Sequence, residues 1–210
     1  MALTAGVLAK AITLFARLAT APRAIWAGVE PRARQRIYYA NHTSNGDFVL
    51  IWTVLPPVLR ANTRPVAALD YWLRSPLRAF IGRDVFNAVL IDRRPDHRTE
   101  DPVAQMAAAL DGGASLILFP EGQRNSSDAP LLPFKSGLYH LARQRPGVDL
   151  VPVWISNLNH VMPKGEIIPV PLICTLTFGA ALRLADDEPK DAFLARTAAA
   201  LLALRAGDAA

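Results

Sequence analysis

Residues 36–47 read Arg36-Ile37-Tyr38-Tyr39-Ala40-Asn41-His42-Thr43-Ser44-Asn45-Gly46-Asp47. The apolar, aromatic run that ends at Ala40 predicts a short buried strand. The spacing from Ser44 to Leu55 predicts a helix directly behind it. A strand running straight into a helix is the start of a βαβ unit, and the turn between them carries a histidine and an aspartate. Histidine takes up a proton near neutral pH, because its unperturbed pKa is about 6.5. A carboxylate at its other ring nitrogen fixes the tautomer and stabilises the charged ring. No nucleophile is built in beside the pair. Such a dyad suits a reaction whose substrate brings its own hydroxyl.

The same alternation extends outward from this turn. Strands are predicted at Arg36–Ala40, Pro65–Leu69, Asn87–Asp92, Ser115–Phe119, Leu150–Ile155 and Leu172–Phe178. Helices are predicted at Ser44–Leu55, Tyr71–Ile81, Pro102–Leu110, Phe134–Arg145 and Lys190–Leu204. Asp101 is a fitting N-cap for Pro102, and Asp111-Gly112-Gly113 is a fitting helix stop. The pattern is α/β, with a mixed, partly parallel sheet flanked by helices. In such sheets ligands gather at the carboxyl ends of the strands. The chain has 210 residues, 51% of them hydrophobic, enough for one sizeable core over residues 29–210.

Residues 1–28 form a separate unit. Leu3, Val7, Ala11, Leu14 and Leu18 share one helical face, and Lys10, Thr13, Arg17 and Thr20 recur on another. Charges at Lys10, Arg17 and Arg23 interrupt what would otherwise be a spanning segment, and the start lacks the basic region of a secretory signal. The expectation is an amphipathic helix lying in a membrane surface, with Trp26 at the headgroup level. The competing expectation is a helix packed on its own domain. The net charge is +5, mostly arginine, which favours phosphate and carboxylate partners. Sparse aromatics and the lack of a recognised module speak against nucleic acid. Cys174 is the single cysteine, so no internal disulfide forms. His97, His140 and His160 are scattered from His42, and no metal-ligand spacing is present. Neither a P-loop nor G-x-G-x-x-G occurs.

Three further stretches sit at predicted strand ends or in strands. Phe119-Pro120-Glu121-Gly122-Gln123-Arg124-Asn125 presents a carboxylate and an arginine from a tight turn. Asn87-Ala88-Val89-Leu90-Ile91-Asp92-Arg93 is a strand that ends in a charged pair. Val151-Pro152-Val153 is a strand broken by proline, which implies an edge or a bulge.

Taken in order, these stretches resemble the glycerolipid acyltransferases, the 1-acylglycerol-3-phosphate O-acyltransferase family. That family carries a histidine and an aspartate separated by four residues, a G-x-I-x-x-R-like strand, an F-P-E-G-T-R-S loop and a proline-containing strand. Phe134-Lys135-Ser136-Gly137 is similar to its F-K-x-G. Asn87, Gln123 and Asn125 stand where glycine, threonine and serine are usual. The resemblance implies acyl transfer from acyl-CoA or acyl-carrier protein to lysophosphatidic acid, with no cofactor. It implies His42 as general base, oriented by Asp47. Substrate binding then falls to Arg93, Glu121, Gly122, Arg124 and Lys135, with the arginines on the phosphate and Glu121 on the glycerol. The place expected for such an enzyme is the cytoplasmic face of a membrane, held peripherally or monotopically. The alternatives are another lysolipid acceptor, or a non-catalytic membrane-binding module of the same fold.

Overall fold

A computed structural model describes residues 2–94, 96, 98–156 and 174–206. Strands β1 (Arg23–Trp26), β2 (Arg36–Ala40), β3 (Thr63–Ala68), β4 (Val89–Ile91), β5 (Ser115–Leu118), β6 (Asp149–Ser156) and β7 (Thr175–Phe178) make one sheet. Its order is β1-β7-β6-β2-β5-β3-β4. From β2 to β6 the strands run parallel, while β7 is antiparallel to β6 and β1 follows β7. The parallel strands therefore end along one edge, where the loops after β2, β3, β4 and β5 meet. The mixed, mostly parallel sheet flanked by helices is the architecture that the alternating pattern predicts.

Strand β2 is central and buried along its whole length. Its side chains alternate between two cores, as a strand covered on both faces requires. Tyr38 and Ala40 point toward helices α1 (Ala2–Thr20) and α2 (Asp47–Val54). Ile37 and Tyr39 point toward α6 (Pro102–Asp111), α7 (Gly137–Gln144) and α8 (Lys190–Ala206).

Several boundaries differ from expectation. The first helix stops at Thr20, not at residue 28. Ala21 has a left-handed backbone (φ 36°), and Pro22 cannot continue a helix. Residues 23–26 instead form β1, paired with β7. Trp26 stacks on Phe178 at 4.1 Å between ring centres, so it belongs to the packing of the sheet. The helix expected over Tyr71–Ile81 is broken into α4 (Leu69–Trp72), α5 (Pro76–Phe80) and a single π-helical turn at Ile81–Val85. Ser75 causes the break: its side chain caps Arg78 N–H, and Pro76 occupies the first position behind it. A short helix α3 (Pro57–Arg60) follows α2.

Pro152 produces a bulge. The β6–β7 register holds from Ser156↔Thr175 to Val153↔Phe178. It then slips by one residue to the bridge Leu150↔Leu182. The carbonyl of Pro152 faces that side, accepting from Gly179 N–H at 2.9 Å, so its missing N–H falls where the extra residue sits. Asn87 also has a left-handed backbone (φ 48°). That conformation explains the usual glycine there, and asparagine is among the side chains that tolerate it best.

Helix α1 is oriented unlike a soluble surface helix. Its small side chains Ala5, Thr13, Ala16 and Thr20 are buried. Thr13 and Thr20 satisfy their hydroxyls on the helix's own carbonyls, Ala9 O and Ala16 O. The large apolar side chains Leu3, Val7, Leu14, Phe15 and Leu18 face outward, Leu3 and Leu18 being 85% and 75% exposed. Among the described residues this is the one helix long and apolar enough to cross a membrane by length and composition.

Candidate active site

The site begins with a capped turn at the end of β2. Asp47 opens α2 and is fully buried. Its Oδ2 accepts the backbone N–H groups of Thr43 (2.7 Å) and Ser44 (3.0 Å), which closes the turn around the carboxylate. The same oxygen lies 2.8 Å from His42 Nδ1. A carboxylate only accepts, so Nδ1 carries the proton, and Nε2 is left as the basic nitrogen. The imidazole also stacks on Phe119 at 4.2 Å between ring centres, with 17° between planes. Ring position and tautomer are thus both fixed. The His42 side chain keeps 20% of its surface open to solvent.

The second layer is formed by Glu121, and here the structure corrects the sequence-based role. Glu121 is 1% exposed. One oxygen accepts His42 N–H at 2.8 Å, and the other accepts Leu132 N–H at 2.8 Å. Its carboxylate points into the protein, where it ties three loops together rather than facing a substrate. Burial pushes its pKa above the ordinary carboxylate value, against the two N–H donors that favour the charged form. Gly122 has φ 71°, a backbone that favours glycine. A Cβ there would also come within 3.1 Å of Lys135 Cγ, so glycine leaves the lysine stem room to cross the loop. Lys135 N–H donates to Pro120 O at 2.7 Å, which fastens the two segments side by side.

Arg124 is exposed and has no hydrogen-bond or ion-pair partner among the described residues. Its neighbour Asn125 donates its N–H to His42 O at 2.7 Å, so this arginine is held close to the histidine loop. Arg93 lies elsewhere on the same edge. It follows β4, three strands from β2, or about 14 Å at usual strand spacing. Its guanidinium is paired with both oxygens of Asp70 at 3.0 and 3.1 Å. The structure thus brings His42, Asp47, Glu121, Gly122, Arg124 and Lys135 together and sets Arg93 at the rim.

Three contributors carried no sequence signal of their own. Phe119 looks like the last residue of a strand. Asn125 sits where the resembling family has serine, and its side chain also organises the loop through Ser127 and Ala129. Asn41 exchanges two hydrogen bonds with the backbone of Ile155, locking the end of β2 to β6. His140 is exposed on α7, while His97 and His160 lie outside the described residues. Among the described residues no three His, Cys, Asp or Glu side chains converge on a common point. Ser44 lies beside the dyad, but its Oγ accepts Gly46 N–H at 3.2 Å.

Comparison with known proteins bears on this arrangement. The Acyltransferase family model matches residues 27–156, the span that holds the buried dyad, the β4 end and the Glu121 loop. The chain belongs to the acyltransferase family. Within it, the chain is 31% identical over 149 residues to the 1-acyl-sn-glycerol-3-phosphate acyltransferase of Limnanthes alba, covering 69% of this chain and 50% of that one. It is 29% identical over 131 residues to the enzyme of that name from Haemophilus influenzae, covering 59% and 49%. The chain spans about half the length of the curated relatives it matches. The fold is shared with the crystal structure of the 1-acyl-sn-glycerophosphate (LPA) acyltransferase PlsC from Thermotoga maritima. That match has a TM-score of 0.72 and 22% identity, and covers 98% of this chain and 82% of the other.

Proposed function

We propose that this acyltransferase moves a fatty acyl group from a thioester donor to the free hydroxyl of 1-acylglycerol-3-phosphate, giving phosphatidic acid. The observation that carries the reading is the buried Asp47 carboxylate on His42 Nδ1, which leaves Nε2 as the only basic nitrogen of the ring. In this reading Nε2 takes the proton of the acceptor hydroxyl as its oxygen attacks the thioester carbonyl. Asp47 stabilises the imidazolium that forms. The proton then passes to the departing thiolate of acyl-CoA or acyl-carrier protein. No acyl-enzyme is required, in keeping with the Ser44 hydroxyl engaging Gly46 rather than His42. Arg124 and Lys135 take the acceptor phosphate beside the dyad. Arg93 joins them only if its ion pair with Asp70 is exchanged. A purely binding role gives no reason to keep a desolvated carboxylate on a solvent-accessible imidazole.

The substrates carry acyl chains, and the outward apolar face of α1 supports a seat on the bilayer. A helix held only by its own domain would turn Leu3, Val7, Leu14 and Leu18 inward; here they point away. Seated in the interface, those side chains enter the acyl boundary and place the catalytic edge at a membrane surface. The cytoplasmic face suits the excess of arginine. The test is acyl transfer from labelled acyl-CoA and acyl-carrier protein to a panel of lysolipids. Greatest turnover on lysophosphatidic acid is expected. Faster turnover on a non-phosphorylated lysolipid would move the assignment to that acceptor.

A further inference from the structure

The described residues expose nine large apolar side chains, and their placement is one-sided. Five belong to the outward face of α1. Ile25 lies on β1, which follows α1, and Val58 lies on α3, which follows the α2 helix packed against α1. The remaining two are Leu73 and Leu77, 38% and 65% exposed. None of the nine is on α6, α7 or α8, the helices that cover the other face of the sheet. A single exposed leucine needs no explanation, but a set confined to one side does. The membrane seating of α1 leaves Leu73 and Leu77 unaccounted for.

Both leucines stand in the segment that links β3 to β4. α4 begins at Leu69, directly after β3 ends at Ala68, so the segment starts on the edge that holds His42. Two contacts tie it there. Asp70 holds Arg93, and the Trp72 ring meets Phe48, the residue after Asp47, at 5.9 Å between ring centres. Farther along, the π-helical turn at Ile81–Val85 packs against α1. Gly82 lets this turn close on Trp72, since a Cβ there would come within 3.1 Å of its ring. The segment thus runs from the rim of the His42 edge to the flank of α1. From Tyr71 to Asp84 it carries Arg74, Arg78 and Arg83 against the one carboxylate of Asp84. All three arginines are exposed, and none has a salt bridge among the described residues. Arg78 instead lies over the Tyr71 ring, 4.7 Å from its centre.

Exposed leucines ringed by cations match the interface of an anionic bilayer. The leucines enter the acyl boundary, and each arginine lays its stem along it with the guanidinium among the phosphates. A second copy of this chain fits poorly, because a two-fold contact would set the arginines of one copy against those of the other. We infer that the segment from Leu73 to Arg83 is a second membrane contact, which joins α1 in seating the molecule on anionic phospholipid and brings the rim beside Arg93 to the bilayer. This role rests on the seating of α1 proposed above and is independent of the acyl-transfer reading.

The test uses the full chain and two kinds of vesicle, phosphatidylcholine alone and phosphatidylcholine mixed with phosphatidylglycerol. An environment-sensitive fluorophore is attached through Leu77→Cys, Leu14→Cys or Ala199→Cys, the last on the exposed surface of α8. Cys174 is buried and stays unlabelled. On the mixed vesicles the labels in place of Leu77 and Leu14 should shift to the blue, and the label in place of Ala199 should not. Arg74→Gln combined with Arg83→Gln should lower the preference for mixed vesicles about 25-fold, at about fivefold for each basic residue near an anionic surface. Turnover of that variant on detergent-dispersed substrate, and its circular dichroism, should match the wild type. A shift at Leu14 with none at Leu77 overturns the second contact while the seating of α1 stands. No shift at either position overturns both. An undiminished preference in the double variant also overturns the proposal, since the segment then does not sense lipid charge. A shift at Leu77 that grows with protein concentration in the absence of vesicles makes a second copy of the chain the occupant and overturns it as well.

Discussion

The backbone N–H of His42 donates to the buried carboxylate of Glu121 at 2.8 Å. His42 is thereby held from two sides, by Asp47 on its ring and by Glu121 on its backbone. Because Glu121 also receives Leu132 N–H, one side chain couples the loop after β2 to the loop after β5 and to the segment that leads to α7.

Glu121→Gln tests that coupling. The amide keeps one acceptor and turns an NH₂ toward the other N–H, at a cost of about 1–3 kcal/mol for an unsatisfied buried group. The expected kinetic result is a lower kcat with little change in acceptor KM, because Glu121 acts through His42. The pH dependence has a definite sign. The folded state holds the Glu121 proton above the ordinary value of 4.5, so this group contributes stability at low pH and loses it as pH rises through the raised value. The stability gap between wild type and variant should narrow with rising pH across that window. Unfolding midpoints that track in parallel at every pH would remove Glu121 from the linkage.

Asp47→Asn should leave a folded protein with little activity. The amide cannot accept as a charged group from Thr43 and Ser44, and it allows the wrong imidazole tautomer. In the comparable Ser-His-Asp system such a change lowers kcat by about 10⁴. The check is kcat together with the chemical shift of His42 Nδ1; a nitrogen that keeps its proton would contradict the account.

His42→Ala removes the proposed general base and should lower turnover by at least the roughly 10²–10⁴ of a general base. Circular dichroism and the unfolding midpoint should stay close to wild type, since the ring is partly open to solvent. Full turnover in this variant would exclude the mechanism.

Arg124→Ala and Arg93→Ala should separate. Arg124 has no partner among the described residues and lies next to the dyad loop, so its loss should raise acceptor KM by about tenfold or more, as for a hydrogen bond to a charged group. Arg93 is already engaged with Asp70, and its loss should affect KM less. Equal effects would mean that the ion pair opens in the complex.

Leu14→Glu with Leu18→Glu places charge on the outward face of α1. Partition onto vesicles should fall by more than tenfold, since charged side chains are poorly accommodated there, while the fold is unaffected. Unchanged partition would return α1 to a packing role. Point changes are preferable to a truncation through residue 25, which would remove part of β1 and its ladder with β7.

The fold was largely legible because both periods are strong. The βαβ alternation and the six strands from β2 to β7 follow from apolar runs bounded by turn residues. What escaped was short or depended on distant partners. β1 has four residues and is a strand only because β7, far away in sequence, offers an edge. The break at Ser75-Pro76 was written in the sequence as a cap and a first-turn proline, but the longer helical period masked it. At the site, the spacing of His42 and Asp47 is compatible with a dyad and equally with a loop histidine beside a capping aspartate, and the 2.8 Å contact shows that the two side chains do meet. The role of Glu121 was not legible: a glutamate in a turn looks solvent-facing until the burial of two orphan N–H groups around it is seen. Phe119 and Asn125 act through stacking and loop closure, which no spacing rule encodes. For α1 the helical spacing groups Thr13 and Thr20 with Lys10 and Arg17, yet the threonines are buried and the two charges exposed; which face meets the protein is a tertiary fact.

The pairing of β1 with β7 sets an order of events in time. During synthesis α1 leaves the ribosome well before β7, its large apolar side chains already displayed, whereas the strand that anchors β1 is the last of the described strands to be made. Closing so long a loop is slow compared with helix formation. If α1 seats in a bilayer as proposed, a nascent chain would therefore be tethered before it is folded, and the edge that holds His42 would assemble at that surface.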